Sequence, residues 1–171
     1  RFAEGVAGIA GDGDEAERSD DQVPGSSLSD ALIGLLSAEP VELTDGEVTD
    51  GLLDLIELSG RAHAAVARFT ASFDTRNLPS IDGARSVASW LASRTEFSRA
   101  AGVGALACGR GLRECPVVDS ASAEGRIGMA KVRMLLDARD KVEELFAQHE
   151  QQLVDDVVPL TVEQARRYIA S

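Results

Sequence analysis

Apolar residues recur along this chain at spacings of three and four, and no stretch alternates apolar with polar over a strand's length. The pattern therefore predicts helices and no sheet. Leu28, Leu32, Leu35 and Leu36 mark a short helix over residues 29–37, which Glu39-Pro40 ends. Thr44-x-x-Glu47 is a capping box that opens the longest helix, and the periodicity carries this helix to about Phe73. About 30 residues at 1.5 Å each make it ~45 Å long, enough to pack across several other helices or against a second subunit. On its wheel Leu52, Leu55, Ile56, Val66, Ala67, Thr70 and Phe73 share one arc. Asp50, Asp54, Glu57, Arg61 and Arg68 share the opposite one. Residues 74–82, with Pro79, read as a loop.

The stretch 86–116 reads as two helices joined at a corner. Val87, Trp90 and Leu91 give the first its stripe, Thr95-Glu96-Phe97 turns the chain, and Ser98 is a good N-cap for the second. That second helix runs to about Leu112, with Pro116 beyond it. Val103 and Leu106 lie on one side, and Ala101, Ala105 and Leu112 on the other. A helix apolar nearly all round is expected to be buried on two sides, with Gly102, Gly104 and Gly109 admitting close neighbours. Three more helices are predicted over 117–124, over 127–138 and from Asp140 to the stop at Pro159. Thr161 caps a last one containing Val162, Ala165 and Ile169. The expected architecture is all-α: one multi-helix domain of about six to eight helices over residues 28–171. Residues 1–27 have too few large apolar groups to offset their ordering entropy and are expected to form a disordered acidic tail.

Charge changes the picture by its distribution. The net charge of −12 divides into three blocks. Residues 1–60 carry 2 basic and 15 acidic side chains, residues 61–136 carry 11 and 6, and residues 137–171 carry 4 and 8. An acidic total argues against generic nucleic-acid affinity, while the basic middle leaves room for a local patch. Its candidate DNA-contacting residues are Arg85, Arg94, Arg99, Arg110, Arg113, Arg126, Lys131 and Arg133. Arg99, Arg110 and Arg113 project from the second helix of the pair within a sector of ~60°. Such a patch would hold phosphates rather than read bases. Cys108 and Cys115 are the only cysteines, without metal-ligand company, and are expected to be free thiols in a reducing cytoplasm. No apolar run approaches the ~20 residues of a membrane span, and Phe2 to Ala10 is too short and Gly-broken for a signal peptide.

The candidate chemical motifs do not carry over into chemistry. Gly102-x-Gly104-x-x-Ala107 matches a dinucleotide fingerprint by letter but lies inside a helix. His149-Glu150 begins like a zinc-protease helix, but Leu153 stands where the second ligand belongs. Gly11-Asp12-Gly13-Asp14-Glu15 lacks the later ligands of a calcium loop. His63 sits near the apolar arc as a boundary imidazole. No catalytic, cofactor-binding or metal-binding residue is assigned. The corner at residues 95–98, with Arg99 following, has the spacing of a helix-turn-helix, against which stand Glu96 at the corner and the apolar second helix.

Ala88-x-Trp90-Leu91-Ala92-x-Arg94-Thr95, Ser98-x-x-Ala101 and Leu112-x-x-x-Pro116, followed by Glu124-Gly125-Arg126-Ile127-Gly128, resemble the domain-of-unknown-function 222 family. Phe146-Ala147-x-x-Glu150-x-x-Leu153-Val154 and Leu160-Thr161 continue the resemblance, which spans about Asp45 to Ile169. Members of that family often precede an HNH nuclease module in bacterial proteins. The resemblance thus implies a non-catalytic helical module that positions DNA or a neighbouring nuclease domain, with any nuclease chemistry lying beyond Ser171. The other expectation is a protein-interaction or dimerisation module using the long helix. An exposed apolar strip on that helix would favour the second, and a continuous basic face the first.

Overall fold

The computed structural model describes Ile33, Ser37 and residues 39–170. The chain divides into two units, Arg1–Leu43 and Thr44–Ser171. The described part of the first holds one turn of 3-10 helix, Pro40–Glu42, where proline at the start forfeits no hydrogen bond. The tail expected over residues 1–27 lies outside the described residues, and so, apart from Ile33 and Ser37, does the helix expected over 29–37.

Every regular element described in the second unit is a helix. They are α1 (Asp45–Thr75), α2 (Leu78–Ile81), α3 (Val87–Arg94), α4 (Arg99–Glu114), α5 (Pro116–Ala123), α6 (Met129–Arg139), α7 (Glu143–Val157) and α8 (Val162–Ile169). The fold class is all-α. The starts are set by local chemistry. The Thr44 hydroxyl accepts from the Glu47 N–H, while the Glu47 carboxylate accepts from the Thr44 N–H at 2.8 Å and from its hydroxyl at 2.7 Å. The backbone bond, then the hydroxyl, hold the Glu47 carboxyl below its ordinary pKa. The same reciprocal box opens α3 with Ser86 and Ser89, and α8 with Thr161 and Gln164. Ser98 caps α4 through the Ala101 N–H.

Two boundaries differ from the periodicity. Residues 74–82 contain a single helical turn, α2, entered from Asn77 at φ 53°. Four residues are too few to show a period. Helix α7 begins at Glu143 rather than Asp140, because Val142 takes φ −143° and interrupts the helical path.

α4 lies along α1 and against α3; α5 packs on α1, α4 and α7, and α6 on α7 and α8. Leu112, Val118, Val132, Leu135, Val154 and Val157 sit fully buried in the core. Two glycines of α4 set the spacing of the helices. A Cβ on Gly109 would collide with the carbonyl of Ala67 on α1, and one on Gly102 would stand 3.0 Å from Cα of Ala88 on α3. α4 is nevertheless not buried all round. Cys108, Gly109, Gly111 and Leu112 are covered, but Val103 is 58% exposed, Ala100 and Ala107 are exposed, and Gly104 faces open space. Of the residues that make its wheel look apolar on both sides, Ala101 and Val103 are exposed, Ala105 and Leu106 half-buried, and Leu112 alone is buried.

Candidate interaction surface

Five of the eight basic side chains marked by the sequence are held by the protein's own groups. Arg94 pairs with Asp82 at 3.1 Å and lies over the Trp90 ring, 5.1 Å from its centroid. Trp90 donates its indole N–H to the same Asp82 at 2.8 Å and packs on Phe73 of α1. Arg110 pairs with Asp74 at 2.6 Å, and Arg113 donates to the Thr75 hydroxyl at 3.0 Å, so both reach the C-terminal end of α1. Arg126 pairs with Glu124 at 2.7 Å and stands 3.9 Å from Asp155. The Lys131 ammonium donates to the Val158 carbonyl at 2.9 Å, and burial pulls its pKa below the ordinary lysine value. Arg85, Arg99 and Arg133 make no hydrogen bond or ion pair among the described residues.

The remaining reactive groups are occupied or quiet. Both cysteines are free and buried. Burial pushes both thiols up, that of Cys115 to about 11 with the Glu150 carboxylate adding to the effect, so neither is a thiolate nucleophile at neutral pH. The exposed His63 donates Nδ1–H to the Ser59 carbonyl at 2.7 Å. Among the described residues no group of three or more His, Cys, Asp or Glu is placed to hold a metal ion. Glu150 on α7, buried, accepts from the N–H groups of Val117 and Val118 at 2.9 and 3.0 Å. Cys115 at the head of α5 supplies no side-chain cap, and Glu150 satisfies the two donors in its place. No local sequence pattern could have revealed this bond, since its partners stand 33 and 32 residues apart.

A row of exposed large apolar side chains lies on α1. Leu52, Leu53 and Ile56 are 56, 61 and 61% exposed. At 100° per residue they continue the face that, two turns later, is buried as Ala64, Ala67 and Ala71. Leu53, Ile56 and Gly60 form one wall of a cleft of about 340 Å³, with Gly125, Ile127 and Gly128 opposite. Every charged residue from Asp45 to Gly60 is acidic: Asp45, Glu47, Asp50, Asp54 and Glu57. Glu57 is 3.6 Å from Arg61; Asp50 and Asp54 have no ion-pair partner among the described residues. The sequence arc includes Leu52, Ile56, Ala67 and Thr70 of this face but not Leu53, Ala64 or Ala71, and its Val66 is 39% exposed.

Among the described residues this unit is a helical module with apolar side chains exposed on its longest helix. The chain belongs to the family described as Domain of unknown function (DUF222), whose model matches residues 52–169. No curated protein and no solved structure matches the chain. Among the described residues no helix is long and apolar enough to cross a membrane.

Proposed function

We propose that this domain is a non-catalytic helical module that docks a second protein element on the N-terminal half of α1. The observation that carries this reading is the exposure of Leu52, Leu53 and Ile56 on the face that forms the core further along the same helix. A large apolar side chain gains about 1.5–3 kcal/mol on full burial, and three neighbouring ones in water form a surface suited to a partner. The neighbouring nuclease module implied by the family resemblance is one source of such an element. The test is a photo-crosslinking amino acid substituted for Leu53 in the cell, read by mass spectrometry. A discrete protein adduct that disappears on adding Ile56→Asp is expected. Adducts unchanged by Ile56→Asp would sink the reading.

A second reading, phosphate contact, draws support from Arg85, Arg99 and Arg133, which no carboxylate of the described chain engages. Salt-sensitive duplex DNA binding that is lost on Arg99→Glu and Arg133→Glu would put it ahead of docking.

A further inference from the structure

Resting on the docking reading, we infer that the occupant of the α1 face is an amphipathic helix with basic flanks. The apolar part is a row, not a pocket: Leu52 and Ile56 stand one turn apart with Leu53 beside them, the spacing at which a second helix sets its own side chains between ridges. The cleft between Leu53, Ile56 and the Gly125–Gly128 turn offers room for a side chain from that helix, and Gly60 and Gly128 leave its lips low, since a Cβ on either would meet nothing within 4 Å. The flank is acidic as far as Glu57, which pairs with Arg61 at the edge of the cleft. Asp50, Asp54 and Glu57 recur at i, i+4 and i+7 along the edge next to Leu53. Three other acids are matched inside the chain, Asp74 by Arg110, Asp82 by Arg94 and Asp119 by Arg68. Asp50 and Asp54 have no such partner among the described residues. A second copy packing antiparallel through the same face would set two such acidic rows together, which opposes that mode of self-association. Lysines or arginines flanking a partner's apolar stripe would instead find two uncommitted carboxylates.

The test uses the full chain and two labelled synthetic helical peptides of about 18 residues, ~27 Å long. The peptides share one apolar stripe; one has Lys and Arg on its flanks and the other Glu. Binding is followed by fluorescence anisotropy. The basic peptide is expected to bind about tenfold or more tightly than the acidic one, with the difference shrinking between about 50 and about 300 mM salt. In D50K/D54K the preference reverses, and in L52S/I56S neither peptide binds. All four substituted side chains are exposed, so circular dichroism of both variants should match the parent. Equal binding of the two peptides that is lost in L52S/I56S would overturn the basic partner while leaving the docking face in place. A chain that sediments as a dimer and becomes a monomer in L52S/I56S would overturn it in favour of a second copy. Binding of neither peptide to a monomeric chain would overturn both this inference and the docking reading.

Discussion

The two halves of α1 share one helical register and one apolar face, yet differ in how that face is filled. From residue 61 onward the face is Ala64, Ala67, Thr70 and Ala71, and it is buried. Before residue 61 it is Leu52, Leu53 and Ile56, and it is more than half exposed. Size runs opposite to burial. The small residues stand where Gly109 brings α4 down onto the Ala67 carbonyl, a distance at which no larger side chain fits. That half gains through close backbone approach and many short dispersion contacts. The large residues stand where no described helix of this chain covers them. Periodicity therefore says which side of a helix faces a neighbour, while side-chain size says how near the neighbour comes.

This contrast can be broken most forcefully at its tightest point. Gly109→Ala is expected to destabilise the domain by about 3 kcal/mol, because its Cβ meets a backbone carbonyl that cannot move without shifting α1 against α4. Chemical denaturation measures it, and an unchanged midpoint would mean the two helices are not in close contact. Next in size is Thr44→Ala, which removes one side of the capping box at the start of α1 and is expected to cost about 1 kcal/mol. Hydrogen exchange should quicken over the exposed half of α1 and change little in the half beneath α4; uniform quickening would show that the halves open together. The smallest effect is Gly51→Ala, in the exposed half, where an added Cβ meets nothing within 4 Å. Helix propensity alone acts there, and a gain of about 0.5–1 kcal/mol is expected in the same denaturation experiment.

Features made by neighbours in sequence were legible, and those made by distant partners were not. The Thr44–Glu47 box and the Ser98 and Thr161 caps each close within three residues, so the letters alone locate them. The Ser86–Ser89 box does not show in the letters, because its third helical residue is a serine rather than the usual Glu or Gln. α2 is hidden from the letters because one turn has no period. A wheel of α4 counts Ala101 and Val103 as apolar and so predicts core on a side that the fold leaves exposed. The arginines are the sharpest case. Spacing does place Arg99, Arg110 and Arg113 in one sector of α4, but the groups that engage Arg110 and Arg113 lie 36 and 38 residues back, at the end of another helix. A helical wheel has no means of representing them.

The carboxylate of Glu150 also bears on the order in which the chain can assemble as it is made. α5 leaves the ribosome 33 residues before the group that satisfies its first amides. At about 5–20 residues per second that interval is roughly 2–7 s. An eight-residue helix is marginal alone in water, so during that interval α5 has neither the length nor the cap to persist. α1 and α4, on which it also packs, are already made, but its first amides are satisfied only when α7 arrives, with α6 between them in the chain. The later half of this bundle is thus built to wait for its own completion, while α1 and α4, joined through backbone contacts from earlier in the chain, can already be in place to receive it.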